Sequence, residues 1–217
     1  NSSYIGLRHD ILKYIKGKRN IVLDVGCATG TNGEFLLDEK IALETFGIEY
    51  DSDMAEVAAK KNTKVFHGDL NVISFRKFVL SETPMFDYIL FADILEHVIN
   101  PEDILLELKS KLKKDGKIII SLPNVAHIET FIQLYINKTW PRNKRGIFDE
   151  THVRWFTKND AFFLVQKCGL KVEVYEPKFR ARDAIGSKFD WKLKVIKALN
   201  KELVTFQHIL VCQHAKQ

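Results

Sequence analysis

Asp24 and Glu49 stand where an apolar run meets a turn or ends, and two histidines, His127 and His152, follow in a long polar stretch. Within Val22-Leu-Asp-Val-Gly-Cys-Ala-Thr-Gly-Thr-Asn-Gly33 the run turns at Gly26 and Gly30. Glycine there removes a side chain where a ligand must approach the backbone, and it permits left-handed turn dihedrals. The spacing Gly26-x-x-x-Gly30, with Asp24 ahead of the first glycine, is not the G-x-G-x-x-G pattern that aims amides and a helix N-terminus at a pyrophosphate. An acid at the mouth of such a turn suits a cationic or ammonium-bearing ligand. Glu49, about 20 residues beyond the turn, can accept two vicinal hydroxyls on one carboxylate. Histidine has the ordinary pKa that suits proton removal near neutral pH.

These residues are positioned by short β-branched runs alternating with segments of helical period, the pattern of βαβ units around a mostly parallel sheet. Strands are expected at Ile21 to Val25, Leu43 to Tyr50, Lys64 to His67, Phe86 to Ala92, Lys117 to Leu122, Lys171 to Tyr175 and Phe206 to Gln213. Asp10 to Ile15 reads as part of an opening helix and Thr31 to Asp38 as a second. Ser52 or Asp53 is the expected cap of a helix running through Ala59. Asn100-Pro101 starts another, with Gly116 as its stop, and Thr157 with Asp160 forms a capping box for a helix closed near Gly169. Residues 123–156 have weaker periodicity and many polar and aromatic side chains, the mark of a functional loop.

The glycine turn resembles motif I of the class I S-adenosylmethionine-dependent methyltransferases, and other segments match that family in order. Gly47-Ile-Glu-Tyr-Asp51 and Gly68-Asp-Leu70 stand where the family binds ribose hydroxyls and adenine. Phe86-Asp-Tyr-Ile-Leu-Phe-Ala-Asp-Ile-Leu-Glu-His97 resembles its fourth strand, and Leu112 to Asn124 its fifth. The match is strong over about residues 20 to 125, and Asp149-x-x-His152-x-Arg154-x-Phe-Thr157 is similar to a pattern of the ubiquinone-type and surface-polysaccharide-associated branch. One departure is Ala28, where many members have glycine.

The resemblance implies a three-layer, Rossmann-like, doubly wound α/β fold of seven strands with the last antiparallel. It implies S-adenosylmethionine as cofactor, held by Asp24, Gly26, Cys27, Ala28 and Gly30 of the turn, by Glu49 and Tyr50, by Asp69 and Leu70, and by Ala92. For the acceptor side, His152 and His127 are the candidate bases, with Asp149, Arg154 and Tyr4 as candidate substrate contacts; Asp149, His152 and Arg154 also fit a network that fixes a lid. Arg8 is a further candidate for closing over the cofactor. Asp93 and Asn124 follow strands from which metal-dependent relatives draw ligands, but two oxygens are too few for an octahedral ion, so no metal is expected.

The chain reads as one domain over residues 1–217, with 123–156 a substrate lid and 178–204 a basic insertion before the last strand. Between Lys178 and Lys201 eight basic residues face only Asp183 and Asp190, an excess of +6 in a chain of net +5. Trp191, Val195, Ile196 and Leu199 there can form one apolar stripe beside lysines, either packed on the sheet or lying at an interface. A hydrophobic content of 46% excludes wholesale disorder, and no apolar run reaches bilayer length. Cys27, Cys168 and Cys212 are unpaired in spacing, so neither a disulfide framework nor a zinc site is indicated, and a cytoplasmic location is expected.

The expected activity is methyl transfer to a small-molecule or saccharide acceptor, with oxygen as the receiving atom. The alternatives are an RNA or protein methyltransferase, disfavoured by Ala92-Asp-Ile-Leu where base-amine enzymes carry Asn-Pro-Pro-Tyr, and a non-catalytic cofactor-binding module of a glycan-assembly system. Nucleic acid is an unlooked-for partner; peripheral membrane contact is compatible with the basic segment.

Overall fold

Along β1 (Asn20–Val25) Val22 and Leu23 enter different cores, as the two-residue period of a strand requires when both of its faces are covered. The computed structural model describes residues 6–182 and 191–215. A one-turn helix α1 (His9–Leu12) precedes β1, and the chain continues through α2 (Thr31–Asp38), β2 (Ala42–Glu49), α3 (Ser52–Ala59) and β3 (Lys64–His67). Then come α4 (Ile73–Glu82), β4 (Phe86–Ala92), α5 (Pro101–Lys109), β5 (Leu112–Pro123) and α6 (Ile128–Phe131). The last part comprises α7 (Lys158–Lys167), β6 (Leu170–Phe179), α8 (Trp191–Leu199) and β7 (Thr205–His214).

The seven strands form one sheet in the order β3-β2-β1-β4-β5-β7-β6, and β7 runs antiparallel to both its neighbours. The first five strands are parallel, so the fold is the expected doubly wound one. Leu23, Ile89 and Ile118 face a core closed by Val79, Ile104, Leu108 and Leu164 from α4, α5 and α7. Val22, Leu90 and Ile119 face the opposite core, closed by Ile11, Leu12 and Leu36 from α1 and α2. The reversal of strand order between β1 and β4 opens a crevice at the strands' C-terminal ends, the place where open α/β sheets bind ligands.

Four local features differ from the sequence expectation or add to it. Asp51, not Ser52 or Asp53, caps α3: its side chain accepts from the amides of Asp53 and Met54. The helix begun at Pro101 ends at Lys109, well short of Gly116, because Leu112 already pairs with Phe86 and β5 runs from there. Gly116 lies inside that strand, where a Cβ would come within 2.8 Å of Leu112 Cδ1. Helix α4 has no capping side chain and exposes Ile73 and Phe78, which hides its period in the sequence. It is fixed instead by Arg76, 5% exposed, which donates to Glu107 of α5 at 2.7 and 3.0 Å and to the Leu70 carbonyl at 2.6 Å.

The fourth concerns the basic segment. Its helix α8 leaves Trp191, Val195 and Leu199 exposed, at 70%, 50% and 83%, while Ile196 of the same stripe is half-buried. Asp183, Lys188 and Asp190 lie outside the described residues, as does Tyr4. No helix among the described residues is long and apolar enough to cross a membrane.

Candidate functional site

The turn after β1 is built by backbone conformation. Gly26 (φ 76°), Ala28 (φ 46°) and Gly30 (φ 75°) are all left-handed, and the amides of Gly26 and Cys27 both donate to the Ile48 carbonyl of β2, at 2.8 and 3.0 Å. Glycine is required at 26 because Ile94 presses on it; a Cβ would meet Ile94 Cδ1 at 2.8 Å. Ala28 bears the cost that a side chain adds in this region. What its geometry achieves is to turn the Ala28 amide onto Glu49 Oε2, at 2.8 Å.

Glu49 also accepts the amides of Tyr50 and Asp51 on Oε1, each at 2.9 Å. One carboxylate thus joins the turn after β1 to the turn after β2, and Tyr50 itself is exposed with its carbonyl on His67 Nε2. Asp69 accepts the amide and side-chain nitrogen of Asn71, at 2.8 and 2.9 Å, through Oδ1. Leu70 is buried in the core and its carbonyl is held by Arg76. Ala92, at the end of β4, pairs with Ser121 of β5.

Asp24 is buried at the end of β1. Its Oδ2 accepts from Asn32 Nδ2 at 3.1 Å, while Oδ1 is buried with no hydrogen-bond partner among the described residues. Burial pushes its pKa up to about 7, against the pull of the Asn32 hydrogen bond and the Arg8 charge. Such an orphaned carboxyl oxygen costs stability, and a cationic group placed against it removes that cost. The neighbouring Cys27 thiol is buried and free, and burial pushes its pKa up as well.

The opening segment covers this crevice. The Arg8 amide donates to Asn32 Oδ1 at 3.0 Å, and its guanidinium reaches Asp10, Ser121 and Asp93. Asp93, itself left-handed at φ 56°, receives Arg8 on Oδ2 and Ser121 and Gln207 on Oδ1. Three strands and the N-terminal segment are therefore tied at one carboxylate, a role that nothing in its local sequence announces. Asn124 is equally occupied: its side chain donates to the Glu202 and Thr205 carbonyls and accepts the Ala126 amide.

On the acceptor side the two histidines differ. His127 Nε2 faces the Arg180 carbonyl at 2.9 Å, an acceptor, so that nitrogen carries the proton; Nδ1 accepts the Glu129 amide at 3.1 Å and caps α6. Both nitrogens are committed, which corrects the expectation of His127 as a base: it has no lone pair left to take a proton. His152 places Nδ1 at 3.2 Å from the Ile147 carbonyl, which makes Nδ1 the donor and leaves the lone pair on Nε2, 4.0 Å from Glu96 Oε1.

Glu96 lies in the motif after β4 but has no role that its sequence position announces. It is 1% exposed, its Oε2 has no partner among the described residues, and burial, with Asp93 adding to it, drives its pKa well above the ordinary carboxyl range. It stands beside two imidazoles, His97 and His152, whose rings meet edge to face at 4.7 Å and whose pKa values burial lowers. The Glu96 carbonyl accepts the amides of Val153 and Arg154, and His97 Nδ1 meets Thr151 Oγ1, which donates to Asp149 Oδ1 at 2.6 Å. Asp149 and His152 are thus brought together in a network that fixes residues 149–154 to the loop after β4. Arg154 points elsewhere, to the Ile99 carbonyl in a cleft of about 530 Å³ between α5 and α7.

A family model described as a methyltransferase domain matches residues 2–175. The chain belongs to that family. The methyltransferase domain is 32% identical over 123 residues to the ubiquinone biosynthesis O-methyltransferase of Glaesserella parasuis, covering 52% of this chain and 51% of that protein. It is 27% identical over 119 residues to the mitochondrial ubiquinone biosynthesis O-methyltransferase of Candida albicans, covering 54% of this chain and 36% of that one. The match thus spans about half or less of the curated relatives' length. Among solved structures, the YcgJ protein of Bacillus subtilis aligns with a TM-score of 0.62 at 17% identity, over 95% of this chain and 97% of that one. An S-adenosylmethionine-dependent methyltransferase of Anabaena variabilis aligns at 0.63 and 15%, over 94% and 82%. These likenesses carry the fold.

S-adenosylmethionine is the methyl donor of this family. The residues present fit it: the donor carries an ammonium group that suits the orphaned Asp24 oxygen, at the root of the left-handed turn at 26–30.

Proposed function

We propose that this methyltransferase domain transfers a methyl group from S-adenosylmethionine to an oxygen of a small-molecule or saccharide acceptor. The observation that carries the reading is the unpartnered Asp24 Oδ1, buried at the C-terminal end of β1 beside a turn that Glu49 locks in a left-handed form. A buried acid of raised pKa, with the Asn32 side-chain amide as its only hydrogen-bond partner among the described residues, is a site prepared for a positively charged ligand.

In this reading Gly26, Cys27, Ala28 and Gly30 lie against the donor, with Asp24 receiving its ammonium group. Glu49 holds the ribose hydroxyls and Tyr50 flanks them; Asp69 and Leu70 read the adenine edge, and Ala92 borders the reacting end. When bound, the cofactor supplies a methyl group on a sulfonium centre, open to in-line displacement. The chain's own tasks are to align the nucleophile and to receive its proton. His152 is the base: its proton sits on Nδ1 against the Ile147 carbonyl, so Nε2 is ready to accept, and its lowered pKa keeps that nitrogen unprotonated at neutral pH. Residues 123–156 act as a lid whose opening admits the acceptor to this buried ring, with Asp149, through Thr151 and His97, holding the lid's inner end.

The names of the curated relatives support oxygen as the receiving atom. The test is methyl transfer from labelled cofactor to panels of phenols, sugars, lipids and RNA. Transfer to a hydroxyl that fails in His152→Ala while cofactor affinity persists supports the reading; transfer to RNA alone, or none in any panel, overturns it.

A further inference from the structure

The loop after β3 has its main chain tied down at several points. The Gly68 amide donates to the Glu49 carbonyl of β2 at 2.9 Å, and the Val72 amide closes back on the Asp69 carbonyl at 3.0 Å. Buried Arg76 holds the Leu70 carbonyl at 2.6 Å. None of these bonds orients the Asp69 side chain. That task falls to Asn71, which donates to Asp69 Oδ1 from its backbone amide at 2.8 Å and from its side-chain nitrogen at 2.9 Å. With both donors on one oxygen, Oδ2 is left as the open acceptor, and no hydrogen bond reaches it among the described residues.

Asn71, half-buried, is anchored at its other end as well. Its Oδ1 accepts the Ile99 amide at 2.8 Å, in the loop after β4, and the Ile99 carbonyl in turn accepts Arg154 Nη2 at 2.6 Å. The side-chain amide therefore cannot turn over: a backbone N–H demands its oxygen on one side, and a carboxylate demands its nitrogen on the other. An aspartate that accepts the amide two residues on is a common turn. The second donor, locked in place by a bond to a different loop, is what such a turn lacks.

We infer that Asn71 is a positioning residue for the base of the cofactor: by saturating Asp69 Oδ1 and aiming Oδ2, it makes the crevice select a 6-amino purine over a 6-oxo purine. The inference rests on the reading in which Asp69 faces the adenine edge. A carboxylate oxygen accepts from an exocyclic amino group and repels a carbonyl, so the selection is sharp only while the carboxylate keeps one orientation. A carboxylate free to swing turns to water when the wrong base is bound, and the selection fades. Because the main chain of the loop has its own bonds, loss of the Asn71 side chain releases that orientation without dismantling the loop.

The test is calorimetric titration of S-adenosylhomocysteine and S-inosylhomocysteine, which differ only at the 6-position end of the base, into the wild-type chain and three variants. The wild type is expected to prefer the adenine ligand by at least about thirty-fold, the range of a hydrogen bond to a charged group. Asn71→Asp keeps an acceptor for the Ile99 amide but sets a like charge against Asp69, and the preference is expected to fall to about three-fold or less. Asn71→Ala, which also gives up the bond to Ile99, is expected to show the same fall. Asp69→Asn is expected to abolish the preference and so reports on the adenine reading itself. If Asn71 is only a structural brace, both of its variants weaken the two ligands by one common factor and keep their ratio; that result overturns the inference and leaves the adenine reading standing. A ratio that survives Asp69→Asn, or a wild type without preference, overturns both.

Discussion

The Ala28 amide donates to Glu49 Oε2 at 2.8 Å, across the gap between the turns that follow β1 and β2. The bond exists only because Ala28 takes a left-handed conformation, at φ 46°. Two residues 21 positions apart thereby set the shape of the crevice before any ligand arrives.

Ala28→Gly should be stabilising. A left-handed alanine costs about 1–2 kcal/mol, and the extra unfolded-state freedom of glycine returns about 0.5–1 kcal/mol of that. A net gain of about 0.5–1 kcal/mol in urea unfolding is expected, with cofactor affinity kept; a loss of stability would show that the methyl group packs usefully.

Arg76→Met should cost about 2 kcal/mol, because it leaves Glu107 and the Leu70 carbonyl without their donor where α4 meets α5. Glu107 is about a third exposed, which limits the penalty below that of a fully buried pair. Denaturant unfolding that moves by less than about 0.5 kcal/mol would make this pair ornamental.

Stability should carry two opposing pH dependences. The folded pKa values of Asp24 and Glu96 are raised, so their contribution is complete below the unfolded carboxyl range and is lost as pH rises, for Asp24 through about 7. His208, buried and lowered to about 4, works the other way: its contribution is present above the unfolded histidine value and is lost as pH falls toward 4. Asp24→Asn should therefore flatten the decline between about pH 4 and 7, and Glu96→Gln should reduce the loss of stability above the ordinary carboxyl range. Unfolding free energies measured across pH, in which Asp24→Asn keeps the wild-type slope, would contradict the assignment.

His152→Ala should lower turnover by about a hundred-fold or more while S-adenosylhomocysteine affinity stays within a few-fold. The pH profile of kcat should lose its acidic limb in that variant. Equal loss of turnover and of cofactor affinity would place the residue in the lid's framework alone.

Much of this was legible in the sequence because it depends on local pattern. Strand runs, the Thr157–Asp160 capping box, left-handed Gly169 and the glycine turn all rest on neighbours in the chain. What escaped was set by tertiary contact. Helix α4 is stabilised by a buried arginine rather than by a cap. His127 lost its freedom to the Arg180 carbonyl, 53 positions away. Glu96 is buried only once the fold closes around it, and Asp93 gathers donors from positions 8, 121 and 207. Asp93 and Glu96 differ from Glu49, whose partners lie on the motif itself.

The most direct test of the account is calorimetric titration of S-adenosylhomocysteine into the wild-type chain and into Asp24→Asn. The orphaned oxygen predicts measurable binding to the wild type, no binding of NAD, and affinity at least about ten-fold weaker in the variant, because the amide removes the charge that meets the ligand's ammonium group. Equal affinity in the two proteins would contradict it.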